Sequence, residues 1–353
     1  MRGAECTARR PGSGRLRPAE DALKAVVLRG ARQLAVESVP DPAPGEGELV
    51  LRVEACGICG SDLSLYERGL LPPGSVLGHE FCGEVMEGAA GFRAGERVCA
   101  LPALSCGRCR RCRSGLGAYC EKQRTLGMGS APGAFAEYVA VAAHECVRLR
   151  EGLGPAHGAL VEPLAVALHA VRVGRVRRAD YCLVFGAGPI GLGAVLWARH
   201  FGAREVVVCE RVPARRKLAE AFGATLTATP EELERALALA LPQPPSVVIE
   251  AVGAPGLIQR ALDCVRFRGR VVVTGVCFEP DTIQPLPALT REATIQFAFA
   301  YEKDDFQYAI DALAAGRVDP LAMVTGRRAL EEIPAAFAEA AARGDGCKIL
   351  YVA

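Results

Sequence analysis

The run Gly186-Ala187-Gly188-Pro189-Ile190-Gly191 constrains this chain more than any other feature, because glycines at that spacing suit a strand that turns sharply into a helix. Residues 182–185 before it are apolar and β-rich, and residues 191–201 after it have helical spacing. Gly186 permits the tight turn, Gly188 lets backbone approach a pyrophosphate, and Gly191 lets helix and strand pack closely. The helix start then offers free N–H groups and a positive dipole end to phosphates. Gly186, Gly188, Pro189, Ile190 and Gly191 are therefore candidate dinucleotide contacts. A second strand over 205–209 leads to Glu210, about 20 residues past Gly191, where an acid grips ribose hydroxyls. Glu210 repels a 2′-phosphate and so favours NAD over NADP. Arg211 and Arg215 stand close enough to welcome one, which keeps Arg215 among the cofactor contacts and NADP as the lesser alternative.

The same texture continues downstream. Strands over 182–185, 205–209, 246–251 and 270–275 alternate with helical stretches over 191–201, 213–222 and 255–265, which implies a parallel sheet with right-handed crossovers. A helix over 161–173 precedes them, and helices over 304–315 and 333–343 and a strand over 348–352 follow. Upstream, short apolar runs such as 23–28 and 49–53 are punctuated by glycine and proline, as in a strand-and-loop domain. A length of 353 residues suits about two domains. With 50% hydrophobic and 23% charged residues, general disorder is excluded. A net charge of +2 supplies no global field for nucleic acid or an anionic membrane. The longest uncharged run, 181–198, nears the length of a membrane span. Gly186, Gly188, Pro189, Gly191 and Gly193 interrupt it, so strand–turn–helix is the better reading.

Residues 1–21 are rich in Arg, Gly and Pro without periodicity, and are expected to form a flexible extension. They contain no apolar core of a secretory signal, so the 15 cysteines are expected to be reduced thiols in a cytoplasm. Clustered reduced thiols suggest metal. Cys106, Cys109, Cys112 and Cys120 match the closed tetrahedral geometry of a structural zinc. Arg108, Arg110, Arg111 and Arg113 interleave with them. Without aromatic residues for base stacking, these arginines read as solvent-facing charges that offset the thiolates.

Cysteine, histidine and carboxylate also recur upstream, in Cys59-Gly60-Ser61-Asp62, in Gly78-His79-Glu80 and in Glu162-Pro163, which reads as the opening of a helix. Such a mixed set suits a zinc ion with one open position. Singly, Cys59 suits a small buried side chain, His79 a core histidine, and Glu162 a charge at a helix start; together they point to metal.

These motifs, with Gly95-Glu96-Arg97-Val98 and Glu162-Pro163-Leu164, resemble the zinc-containing medium-chain dehydrogenase/reductases over residues 24–353, near the sorbitol, butanediol and threonine dehydrogenase branch. The resemblance implies an α/β protein. A GroES-like β-rich catalytic domain (22–163, with a zinc lobe at 99–120) is followed by a Rossmann domain with a doubly wound parallel sheet (164–299). Residues 300–353 then return to the catalytic domain. It implies a catalytic zinc held by Cys59, His79, Glu80 and Glu162, the last directly or through water, and a structural zinc on the four-cysteine lobe. Asp62 is expected to accept a hydrogen bond from the His79 ring, and Ser61 to begin a proton relay. Glu80 and Glu162 count with Ser61 as catalytic residues. Relatives often place a histidine where this chain has Ser64, which leaves the end of that relay to solvent or a cofactor ribose. Cys56 forms Cys56-x2-Cys59, but that position is not a ligand in the family.

The implied reaction is NAD-dependent interconversion of a secondary alcohol (polyol, vicinal diol, cyclitol or hydroxy-amine) and its ketone. The rivals are a zinc-free quinone or enoyl reductase of the same fold, and a nucleotide-binding protein whose basic lobe meets nucleic acid. Ser64, Tyr66 and Phe297–Phe299 are candidate pocket residues. The apolar stretch 294–301 is expected to pair across a two-fold axis in a dimer or tetramer, or else to be an ordinary core strand.

Overall fold

The computed structural model describes residues 23–342 and 344–353; the extension expected over 1–21 lies outside them. Among the described residues, the parallel sheet runs in the order Leu226–Ala228, Glu205–Cys209, Tyr181–Phe185, Val247–Glu250, Arg270–Val273, Thr294–Phe297. This is the doubly wound order, in which the chain starts at the centre, moves to one edge, and returns to build the other. The strand Leu226–Ala228 and the helix Leu233–Ala240 were not read from the sequence. Both are short, and Leu226-Thr227-Ala228 carries too few β-branched residues to announce a strand.

The second large sheet has seven strands. Its path is Cys146–Arg148, Arg97–Ala100, Glu80–Val85, Glu48–Gly57, Lys348–Val352, Val324–Arg328, with Tyr138–Ala142 also paired to Glu48–Gly57. The last residues of the chain thus complete a sheet begun near its start.

The two sheets share one helix, Pro155–Val173, which is longer than expected. Gly154 is its N-cap and Pro155 opens its first turn, where a missing N–H is harmless. Pro163 lies inside the helix, so Glu162 is not at a helix start and its charge meets no N-terminal dipole. The sequence offers proline at both places; the apolar run Ala159-Leu160-Val161, fully buried, continues the helix upstream of Pro163. The expected boundary between 163 and 164 falls within this helix. One apolar cluster includes Ala55, Cys82 and Cys99 from the seven-stranded sheet, Leu160 to Val171 from the helix, and Val184, Leu192 and Trp197 from the nucleotide unit. Trp197 is fully buried, and its Nε1 donates to Leu164 O at 2.9 Å.

Trp197→Ala should therefore destabilise the protein by about 3–5 kcal/mol in chemical denaturation. A loss below about 1 kcal/mol would mean that the shared core does not bind the two units together.

Candidate metal centre and nucleotide cleft

Three strand ends meet at one point. In the antiparallel pairing of Glu48–Gly57 with Glu80–Val85, Gly57 stands opposite Glu80; Gly57 also stands opposite Leu350 on the last strand. Residues far apart in sequence are thereby brought together: Cys59 just past the first strand, His79 just before the second, and Lys348 on the third. Gly57 must be small, because a Cβ there would come within 2.3 Å of Glu80 Oε2. The ligand atoms of Cys59, His79 and Glu80 lie within 4.8 Å of one another.

Cys59 is the N-cap of the helix Gly60–Arg68, and Asp62 is its third residue. Asp62 Oδ2 accepts the Cys59 N–H at 3.0 Å, which fixes the thiol at the head of the helix. Asp62 Oδ1 lies 3.2 Å from His79 Nδ1, yet the two do not align, so neither buried atom has a hydrogen-bond partner. A cation on Nε2 would leave Nδ1 the protonated nitrogen beside that carboxylate. Ser61 Oγ stands 3.3 Å from His79 Nε2. Burial opposes charge on the His79 ring, but the Asp62 carboxylate and the Cys59 thiolate outweigh it and hold the ring well above its usual pKa. That negative field favours any bound cation, and a thiolate, an imidazole and a carboxylate suit zinc.

Two members of this site were not read from the sequence. Lys348 is 1% exposed, as is Glu80, and its ammonium donates to Glu80 Oε1 at 2.8 Å and to Ile58 O at 3.0 Å. Glu80 thus shares its carboxylate between the cluster and a buried cation. A lone lysine in the apolar run Lys348-Ile349-Leu350-Tyr351-Val352 was the available signal. Tyr301 is the other; it is buried among the residues flanking Glu162, and burial, then the charge of Glu162, hold its phenol well above the usual pKa. Glu162, on the shared helix, falls outside the three-ligand cluster. Burial, and then the charge of Glu80, push the Glu162 carboxyl up to about 7.

Other expected positions separate. Cys56 is buried and points its thiol at Gly57 O, away from the cluster. Ser64 donates back to Gly60 O at 3.1 Å within its own helix. Tyr66 belongs to the core, edge-on to Phe337 at 5.4 Å. Phe297 and Phe299 are 65% and 69% exposed.

The four-cysteine lobe closes on itself. Cys109 Sγ lies 3.4 Å from Cys112 Sγ and 3.9 Å from Cys120 Sγ, and Cys106 Sγ lies 3.9 Å from Cys112 Sγ. A tetrahedron with zinc–sulfur bonds of about 2.3 Å has edges of about 3.8 Å, so the set fits the ion. Backbone N–H groups of Cys112, Cys106 and Lys122 point at sulfurs and favour thiolates. The N–H of Cys112 leads in pulling Cys109 down to about 6. Arg108, Arg110, Arg111 and Arg113 are all exposed.

At the nucleotide end, Gly186 has φ +90° and Gly188 is the N-cap of the helix Pro189–His200, with Pro189 in its first turn and Ile190 half-buried. A Cβ at Gly191 would lie 2.0 Å from Gly186 O, whereas one at Gly188 would meet nothing within 4 Å. The first glycine thus serves close packing and the second leaves backbone bare toward the cleft. Glu210 Oε2 accepts Ala187 N–H at 2.8 Å and Oε1 accepts Val212 N–H at 2.9 Å, which places the acid beneath the turn. Arg215 is drawn elsewhere: its guanidinium donates to Gly346 O at 2.9 Å and 3.2 Å.

The comparisons agree with this architecture. Residues 45–151 match the alcohol dehydrogenase GroES-like domain, and residues 189–315 match the zinc-binding dehydrogenase domain. The sorbitol dehydrogenase of Bacillus subtilis strain 168 is 30% identical, over 88% of this chain and 91% of its own length. Two solved structures each superpose with a TM-score of 0.86. A zinc-binding dehydrogenase of Sinorhizobium meliloti 1021, bound to NADP, is 34% identical over 95% of this chain and 100% of its own. An alcohol dehydrogenase of Escherichia coli CFT073, complexed with NADH, is 28% identical over 94% and 99%. With both domains matched in order and a relative 30% identical over most of both lengths, this chain belongs to the zinc-containing medium-chain alcohol dehydrogenase family.

Proposed function

We propose that this chain interconverts a secondary alcohol and its ketone with NAD as hydride partner. The observation that carries the reading is the convergence of a thiol, an imidazole and a carboxylate on one buried point, in a chain that also has the glycine turn. Cys59, His79 and Glu80 would hold one zinc ion, with Glu162 reaching it through water; Cys106, Cys109, Cys112 and Cys120 would hold a structural one. When bound, the catalytic ion supplies Lewis acidity, which lowers the pKa of a hydroxyl near it.

The remaining work belongs to side chains. Ser61, next to His79 Nε2, takes the hydrogen bond of the substrate hydroxyl and passes its own proton outward. Because Ser64 gives its hydrogen to Gly60 O, that proton goes on to solvent or a ribose hydroxyl. Lys348 balances the charge of Glu80, and Glu162, braced by Tyr301, orients water or a second substrate hydroxyl. Asp62 holds the imidazole in one tautomer.

Oxygen-rich ligands suit a chelating substrate: a polyol, vicinal diol, cyclitol or hydroxy-amine. The sorbitol dehydrogenase relative supports a polyol. NAD is favoured over NADP because Glu210, held beneath the glycine turn, would repel a 2′-phosphate, and Arg215 is engaged with Gly346. The reading divides the chain into a catalytic unit (22–163 and 300–353) and a dinucleotide unit (164–299). Every described cysteine is a free thiol, which supports a reducing cytoplasm. Among the described residues no helix is long and apolar enough to cross a membrane.

Thr294–Phe297 is the exposed edge of the parallel sheet, not a core strand. Leu286, Leu289, Phe297 and Phe299 nearby are 66%, 73%, 65% and 69% exposed. An unpaired edge with apolar neighbours favours pairing with a second copy, hence a homodimer or homotetramer.

Purified protein should contain two zinc ions per chain and reduce NAD in the presence of polyols, with kcat/KM lower for NADP. Cys59→Ala should abolish turnover and remove one ion, and Cys112→Ser should remove the other; full turnover in Cys59→Ala would refute the reading. Light scattering at micromolar concentration should give a dimer or tetramer mass, and a monomer mass would refute the edge pairing.

A further inference from the structure

We propose that Tyr119, on the four-cysteine lobe, is a positioning residue for the active site, acting through the segment Phe299 to Lys303 on Glu162. Its catalytic consequence rests on the dehydrogenase reading; the structural link does not.

The lobe touches the rest of the molecule where the chain leaves the parallel sheet. The Tyr119 hydroxyl donates to Phe299 O, and the two rings meet edge-on at 6.2 Å. The next residue, Ala300, has φ +53°, a left-handed conformation that a residue with a Cβ keeps only when its neighbours hold it there. Tyr301 follows, buried in the apolar cluster that also holds Val161 and Leu164 on either side of Glu162, with its ring edge-on to Phe306 at 4.8 Å. Two residues on, the Lys303 ammonium donates to His144 O.

The far side of the lobe is anchored as well. Ser105, just before the first lobe cysteine, donates to the buried Glu145 and lies 2.7 Å from His144 Nε2. A Cβ on Gly117, at the exit of the lobe, would overlap Glu145. His144 and Glu145 form one short helical turn, which therefore holds both the base of the lobe and, through Lys303, the strap. Three contacts, at Phe299, Tyr301 and Lys303, thus fix the five residues from Phe299 to Lys303, the strained Ala300 among them. Release at Phe299 lets Ala300 relax, and Tyr301, packed against the helix that carries Glu162, moves with it.

Tyr119→Phe keeps the ring and removes only the hydroxyl. In the zinc-loaded protein, hydrogen–deuterium exchange over residues 298–305 should quicken while that over Tyr181–Phe185 stays unchanged. Loss of one neutral hydrogen bond should lower kcat about fivefold, with KM for NAD and zinc content unchanged. Lys303→Met, which cuts the other anchor, should show the same pattern. Unchanged exchange, or quickened exchange with wild-type kcat, would overturn the proposal, as would loss of zinc from Tyr119→Phe. If wild-type protein oxidised no alcohol, the dehydrogenase reading would fail and the catalytic role of Tyr119 with it. The exchange data would still report whether the strap exists.

Discussion

The centre of this molecule is organised around a buried ion pair, Lys348 with Glu80, placed where three strands end. Two charges removed from water are tolerated only while each has its partner, and removal of one such partner costs about 3–5 kcal/mol. That penalty ties the strand bearing Lys348 to the strand bearing Glu80, although the chain passes through an entire parallel sheet between them. Slippage of either strand by one residue would turn a charge into the wrong face of the sheet. The register that satisfies the pair also brings Cys59 and His79 together, so the ligand geometry follows from a requirement of burial.

The nucleotide unit is joined to this centre by shared packing. The helix Pro155–Val173 contributes to one apolar cluster with residues of both sheets, and it carries Glu162. The chain then returns through Tyr301, which packs against the helix that carries that glutamate. One helix and one strap, each anchored on both sides, thus join the two units. Such a frame can hold a reacting hydroxyl and a nicotinamide in fixed relation, which is most of what hydride transfer asks of a protein.

Much of this was legible in the residues, and the reasons differ. The turn from Gly186 to Gly191 was readable because its chemistry is local: each glycine answers a steric demand of its own neighbours. The four-cysteine lobe was readable because the ligands of a closed metal site lie close in sequence. Cys59, His79 and Asp62 gained meaning together, through resemblance. Lys348 and Tyr301 stayed hidden because their partners, Glu80 and Glu162, lie far away along the chain, and only strand register and helix packing bring them near. Glu162-Pro163 suggested a helix start because proline favours first turns, whereas an apolar face upstream had already begun the helix. Tyr66 looked like a pocket residue and is core, since neither its polarity nor its position shows which side of the helix faces Phe337.

The central claim is that Cys59 and His79 hold a metal ion in the cleft beside the dinucleotide turn. Anomalous diffraction at the zinc edge, from crystals grown with NADH, tests it most directly. Two peaks per chain are expected, one among the four lobe sulfurs and one about 2.3 Å from Cys59 Sγ and about 2.1 Å from His79 Nε2. A single peak confined to the lobe, with the cleft peak missing in zinc-replete protein, would contradict the account.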